Sequence, residues 1–489
     1  MTTAAAFVAG NDAPRIGERA AARGRVATDG GDEHAGVKNA LTVGEGDTAG
    51  QKAEMWLVPA EPRITPAAGW SRLAWTRRRR CTVPSTRDAM SSRNERMGNS
   101  MNKTCSSTQK SARLLALALL ANLLLYSPAR AADTAGTNCP AAFRPYSTAG
   151  TPLLDLLINP ATKELVDRDL PGFLAGLPPI LAKPSPPTLA DILTIRTLAS
   201  EFEPLPATAL DKLDKDLALV PLTQETAIAR CARYDETPPV LPAKLAHPAI
   251  LVFSKSNGFR DDPSVTAAEN ALKVMSEHEV WSMFFTDNAA VFNAALLKRF
   301  DAIVWNNVSG DVLTIAQRRD FKAYIENGGG FAGFHGSGGD PFYDWDWYAD
   351  TLLGARFLNH PMNPQFQNAR LKIDDLHDAI VRDLQPEWTM SDEWYSFKTN
   401  PRTKGAHILV TLDESTYQPM SFKTSIRMGD HPIAWTRCVG SGRSFYTAIG
   451  HRPESYSEPN TNRLLKQGVA WAAGLGETSC QAGKELARR

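Results

Sequence analysis

Long apolar runs, a basic surplus and paired-cysteine motifs are all missing from this 489-residue chain. Each absence narrows what it can be. The longest apolar run, residues 114–126, has 13 residues, short of the roughly 20 that a membrane-spanning helix needs. No stable membrane insertion of the mature chain is therefore expected. The formal charge of +1 is unevenly spread. Residues 1–132 hold 19 Lys and Arg against 11 Asp and Glu, which leaves 35 and 42 for residues 133–489, a net charge of −7. An acidic body without a basic stripe argues against nucleic acid as a partner. None of the six cysteines sits in a C-x-x-C, which disfavours zinc-ribbon and dithiol chemistry. Gly328-Gly329-Gly330 lacks the Gly-Lys-Ser/Thr ending of a phosphate loop and precedes a strand instead of a helix. Residues 1–100 contain only 12 Val, Ile, Leu and Phe, too few for a packed core. They read as a disordered extension or as an over-extended reading frame ahead of a start at Met97 or Met101.

Residues 101–132 have the grammar of export. Lys103, Lys110 and Arg113 precede the apolar run, and Ala129-Arg130-Ala131 offers small residues where a signal peptidase reads. This segment is thus expected to be a cleavable signal peptide, which implies a periplasmic or secreted protein. Cys139, Cys231, Cys438 and Cys480 remain after cleavage, and an oxidising compartment permits their pairing. Cys139 and Cys231 bracket one segment, and Cys438 and Cys480 bracket the end of another. Pairing within each bracket is the expectation.

Residues 139–245 read as a small helical module. Residues 151–158 and 163–170 carry apolar side chains at helical spacing, and Pro171-Gly172 breaks the pattern. Thr188 is a candidate N-cap, and Leu210, Leu213 and Leu217 mark one face of a further helix. Pro238-Pro239-Val240-Leu241-Pro242 reads as a linker. From Pro248 the pattern changes to short apolar strands at 249–254, 280–285, 301–306 and 331–334. Helices at 264–276, 293–300 and 314–327 alternate with them. Such alternation implies right-handed crossovers and a mainly parallel sheet covered on both faces. Ligands bind beyond the carboxyl ends of such strands, which selects the loops beginning at Lys255, Asn306 and His335.

The run Gly328-Gly329-Gly330-Phe331-Ala332-Gly333-Phe334-His335 resembles the glycine-rich signature of the ThuA-like, or trehalose-utilisation, family. Leu353-Gly354-Ala355-Arg356-Phe357, His360-Pro361, Asp392-Glu393-Trp394-Tyr395, His431-Pro432-Ile433-Ala434-Trp435 and the segment 442–451 continue the resemblance in order. It covers about residues 248–475, leaving 476–489 as a tail. The resemblance implies the class I glutamine amidotransferase-like fold, a flavodoxin-like three-layer sandwich. It also implies a part in the utilisation of trehalose or related disaccharides, including 3-keto sugars. Two departures stand out. The turn that carries a nucleophilic cysteine in amidotransferases reads Phe334-His335-Gly336-Ser337 here, so thioester chemistry and amidotransferase activity are not available. Many relatives also place a histidine after the equivalent of Gly258-Phe259-Arg260, where this chain has Asp261-Asp262.

The candidate catalytic residues are His335 and Glu393, exchanging protons with a sugar hydroxyl or carbonyl carbon. Imidazole titrates near neutrality and a carboxylate can act as base. Arg260, His360, Asp392, Tyr395, His431 and His451 are the candidate substrate-binding residues. No cofactor is expected, since no His-x-His or His-x-x-x-His spacing announces a metal site. A variant places a divalent metal among His335, His360, Glu393 and His451, polarising a keto group. Phe342, Tyr343, Trp345, Trp347 and Tyr348, interleaved with Asp340, Asp344 and Asp346, read either as a sugar-stacking surface or as the start of a partly buried helix. The alternative to an enzyme is a non-catalytic sugar-binding or partner-docking module.

Overall fold

The computed structural model describes residues 136–201, 204–342, 344–475 and 480. The extension and signal segment read from the sequence lie outside them. Among the described residues, no helix is long and apolar enough to cross a membrane.

Seven short helices of the described residues precede the sheet, from Leu153–Leu157 to Gln224–Cys231 in the chain. Their ends follow side-chain chemistry. Asn159 accepts from the Ala161 amide to start Pro160–Asp169, and Thr223 and Thr226 form a capping box on Gln224–Cys231. Thr188 caps a single 3₁₀ turn, Leu189–Asp191, before the helix Ile195–Glu201 begins. Leu210, Leu213 and Leu217 are buried as their spacing predicts, each contributing roughly 1.5–3 kcal/mol by leaving water. Cys139 and Cys231 are joined, closing 92 residues of sequence with Cα atoms 5.5 Å apart. Cys438 is joined to Cys480. Both pairs are those the bracketing favours.

Polar contacts buried within the module extend to the sheet domain through partly buried ones. Arg230 and Arg233 converge on Asp155 at 3.0 and 2.7 Å, and Arg233 also reaches Asp191 at 3.0 Å. Asp191 in turn accepts from the Asp311 amide at 3.2 Å, and Lys255 pairs with Asp235 at 2.6 Å. A cleft at this boundary is lined by Asp191, Arg230, Arg233, Arg318 and Asp340 among others.

A nine-stranded sheet forms the centre of the second part. Its strands are β1 (Ala249–Phe253), β2 (Ser282–Thr286), β3 (Ala302–Asn306), β4 (Gly330–Phe334), β5 (Phe366–Ile373), β6 (Glu387–Glu393), β7 (His407–Asp413), β8 (Pro432–Val439) and β9 (Gly442–Thr447). In space they run β2-β1-β3-β4-β9-β8-β7-β5-β6. Pairing is parallel from β2 to β9 and antiparallel from β9 to β6. Seven of the nine strands therefore point the same way. The fold is mixed α/β with a mostly parallel central sheet. Strands β1, β3 and β4 are buried along their whole length, which is why they read as unbroken apolar runs.

Several boundaries differ from the sequence expectation; the second strand, expected at 280–285, is Ser282–Thr286 because Val280 caps the preceding helix in a left-handed conformation. Helix Asp262–Glu279 is capped by Asp261, whose carboxylate accepts from the Ser264 amide, so it starts before Ser264. Pro263 tolerates this first-turn position because it has no N–H to satisfy. Helix Ala294–Leu297 stops short of Phe300. Gly330 opens β4, where an added Cβ would lie 2.0 Å from the Ala472 carbonyl oxygen. Only glycine lets helix Pro459–Ala472 approach the sheet so closely.

Two buried carboxyls at the module boundary couple stability to pH. Burial pushes Asp340 up to about 7, against hydrogen bonds from Ser309 and Gly310. Burial likewise pushes Asp191 up to about 6, against the charge of Arg233. A raised carboxyl binds its proton more tightly in the folded chain. Its contribution is complete below about pH 4 and is lost as pH rises through the folded value. Asp340→Asn keeps the neutral shape, so it is expected to gain a few kcal/mol relative to wild type between about pH 4 and pH 8. Paired denaturant melts across that range check it; parallel profiles would show that Asp340 is ionised throughout.

Candidate active site

Four strand ends bring the charged residues together. His335 follows β4, Glu393 ends β6, His451 follows β9 in the loop after Thr447, and His360 follows the short strand Phe357–Asn359. The antiparallel half turns back so that the end of edge strand β6 meets the ends of β4 and β9. The hydrogen bond from the Gly450 amide to Asp392 ties that closure at 2.8 Å.

Glu393 lies at the centre of the cluster and is 2 % exposed. Its Oε2 is 2.9 Å from His451 Nδ1 and 3.3 Å from His335 Nε2. Its Oε1 is 3.3 Å from His360 Nδ1 and accepts a short hydrogen bond from Gln365. His335 Nε2 and His451 Nδ1 are 3.2 Å apart. Burial opposes ionisation of Glu393, yet the charges of His360 and His451 and the hydrogen bonds from His335 and His451 hold its carboxyl well below the usual range. Burial also disfavours charge on His451, but the Glu393 carboxylate outweighs it and raises that imidazole to about 9. The resulting arrangement is a buried anion enclosed by imidazoles.

His335 owes its position to the backbone. Its φ of +33° falls in the region non-glycine residues avoid, a strain that persists where the surroundings over-determine it. Here the His335 carbonyl accepts from Tyr446 Oη at 2.9 Å, and Nδ1 donates to the Ala448 carbonyl at 2.7 Å. Tyr395 lies over the imidazole with ring centroids 4.1 Å apart. The glycine-rich sequence after His335 answers this crowding. A Cβ on Gly338 would come within 2.3 Å of Tyr446 Oη, and one on Gly339 within 2.5 Å of Tyr395 Oη.

The structure brings His335, His360, Glu393, Tyr395 and His451 into one cluster. It gives Asp392, His431 and Arg260 other partners. Asp392 is fully enclosed and accepts from the amides of Glu393, Gly450, His451 and Arg452 and from Ser455 Oγ. It therefore holds the loop that carries His451. His431 is also enclosed, with Nε2 donating to the Tyr395 carbonyl at 2.8 Å and Nδ1 2.9 Å from Glu414. It fixes the Tyr395 backbone from behind. Arg260 turns to the Ser254 carbonyl and to Asp262, both at 2.6 Å. Trp345 and Tyr348 stack on each other and pack with Phe321 and Trp305, so Tyr348 belongs to the core and the partly buried Trp345 packs against it.

Three further residues near the cluster are not among the candidates read from the sequence. Gln365 has no motif and reaches Glu393 only because β5 pairs with β6 in the register Phe366↔Glu393. Phe259 and Phe366 face His451 with centroids 5.7 and 5.1 Å away.

Residues 249–472 match the family model described as ThuA, trehalose utilisation. This segment is a ThuA-like domain. A solved structure described as a ThuA-like protein from Bacteroides uniformis is 24% identical, with 48% of this chain and 95% of that chain covered and a TM-score of 0.41. Another so described, from Parabacteroides merdae, is 18% identical over 48% of this chain and 93% of that chain, with a TM-score of 0.37. No curated protein sequence matches the chain. Within the ThuA-like domain, the segments that carry the family resemblance contribute His335, His360, Glu393, Tyr395 and His451 to one place.

Proposed function

We propose that this is an exported enzyme of carbohydrate utilisation, acting by proton exchange on trehalose or a related disaccharide, including its 3-keto form. The observation that carries the proposal is the buried Glu393 carboxylate held among His335, His360 and His451. A base and several proton carriers within hydrogen-bond reach are what removal and return of a proton at a sugar carbon or hydroxyl requires. Family membership supplies the substrate class, as the ThuA model is described by trehalose utilisation. Phe366, 40 % exposed beside His451, offers an apolar face to a sugar ring. The two disulfides fit an oxidising compartment and so support the export signal at residues 101–132. The mostly parallel sheet with ligand groups at its carboxyl edge supports a flavodoxin-like assignment.

The direct test is a thermal-shift panel of disaccharides and their 3-keto forms, followed by product analysis on whichever binds. A ligand at 100 times its Kd is expected to stabilise the protein by about 2.7 kcal/mol. Selective stabilisation with product formation supports the proposal. Stabilisation without product points to a sugar-binding module, and no shift across the panel overturns the carbohydrate assignment.

A further inference from the structure

We propose that His335 Nε2, His451 Nδ1 and Glu393 Oε2 form a binding site for a divalent cation of the zinc class, with one coordination position left open. The site shares residues with the function proposed above and deepens it, but it rests on the shape of the cluster. The three atoms form a triangle with sides of 3.2, 3.3 and 2.9 Å. Ligands about 2.0–2.1 Å from a tetrahedral zinc ion are separated by roughly 3.3–3.4 Å. The triangle is therefore close to one face of such a tetrahedron, with the ion about 1 Å above its plane.

Donor chemistry and support agree with the spacing. His335 Nδ1 is occupied by the Ala448 carbonyl at 2.7 Å. A carbonyl only accepts, so Nδ1 carries a hydrogen, and Nε2, which faces Glu393 and His451, is the nitrogen that would give up its proton to an ion. This outer hydrogen bond is the usual means of orienting a metal-binding imidazole. His451 is held through its backbone, because Asp392 accepts from its amide and from both neighbouring amides. Glu393 divides its oxygens, with Oε2 in the triangle and Oε1 held by Gln365 beside His360. Two imidazoles and one carboxylate are also a donor set that leaves zinc a fourth position for water or substrate. An ion there would polarise a sugar carbonyl or hydroxyl oxygen, while His360, on the other oxygen of Glu393, remains beside it to move protons.

The test uses the full chain, stripped with a chelator and titrated with Zn²⁺ or Co²⁺ without sugar. Calorimetry reads the stoichiometry, and visible absorption of Co²⁺ reads the coordination. One ion per chain is expected, with tetrahedral-type Co²⁺ absorption. Glu393→Gln and His451→Ala are each expected to weaken binding by about 100-fold or more. His377→Ala, at an exposed position outside the cluster, should leave it unchanged. Glu393→Gln preserves size, and its circular dichroism and metal-free melting curve distinguish lost ligation from lost folding. Absence of saturable binding in the wild type would overturn the site, as would equal binding by folded Glu393→Gln and His451→Ala. Because the ion is read without sugar, its failure leaves the carbohydrate assignment standing, and an inert sugar panel leaves the ion site standing.

Discussion

Glu393→Gln is expected to abolish sugar turnover, lowering kcat by about 10²–10⁴-fold, while the protein stays folded. The substitution replaces the carboxylate that touches all three imidazoles of the cluster by an amide of nearly the same shape. An amide oxygen can still accept from His451, and the Gln365 side chain can turn to present its own oxygen to the new amide nitrogen. What disappears is the negative charge, and with it both the base and the electrostatic support of His451. Glu393→Asp separates charge from position. It keeps the carboxylate but withdraws it by one methylene, and a misplacement on the order of 1 Å costs about 100-fold. Single-turnover assays on the sugar chosen by the binding panel give both numbers. Wild-type turnover by folded Glu393→Gln would remove Glu393 from the chemistry and leave the imidazoles as a binding cleft.

The contrast between Glu393 and its neighbour shows what the sequence could and could not convey. Asp392 and Glu393 are adjacent on a strand, where successive side chains point to opposite faces. One enters the imidazole cluster and the other the Gly450–Ser455 loop, yet in sequence they form an undivided acidic pair. His431 is a comparable case. Residue type suggested a ligand, whereas only the packing of Glu414 and the Tyr395 carbonyl around it reveals a support. The parallel half of the sheet was legible because each strand is a short apolar run between breaks; the capping box of Thr314 and Gln317 at the start of the helix after β3 is seen only in the structure. The antiparallel half was not legible. In β5 exposed, partly buried and buried side chains follow no strict alternation and polar residues are interspersed, so its register comes from pairing with β6 and β7. Gln365 was invisible for that reason. The histidines stood out because each follows a strand within a segment that carries the family resemblance; His335 and His451 follow strands of the main sheet, and His360 a strand of the separate two-stranded sheet.

Asp392→Ala is expected to destabilise the protein by a few kcal/mol and to release His451 from Glu393. Asp392 is fully buried and accepts five hydrogen bonds between 2.8 and 3.2 Å, from Glu393, Gly450, His451, Arg452 and Ser455. Alanine would leave those donors enclosed without an acceptor, and each orphaned group costs about 1–3 kcal/mol. The losses do not add in full, because the loop can relax toward water once the anchor is gone. Asp392→Asn is expected to fall nearly as far. Its amide keeps one acceptor oxygen but turns an NH₂ toward amides that also donate, so part of the ring of donors is opposed. Ser455→Ala removes a single hydroxyl donor from the same carboxylate, and its loss should stay near 1 kcal/mol. Denaturant melts rank the three, and His451 imidazole resonances followed by NMR report whether its contact with Glu393 survives. If Asp392→Ala melts like wild type with His451 undisturbed, the loop is held by its own packing around Tyr456, whose hydroxyl donates to the Gly450 carbonyl and accepts from Asn307. If His451 is freed and turnover falls with it, the route from sequence to chemistry passes through a residue that never meets the substrate. An enclosed carboxylate would set the loop, the loop would set an imidazole, and the imidazole would set the charge of Glu393.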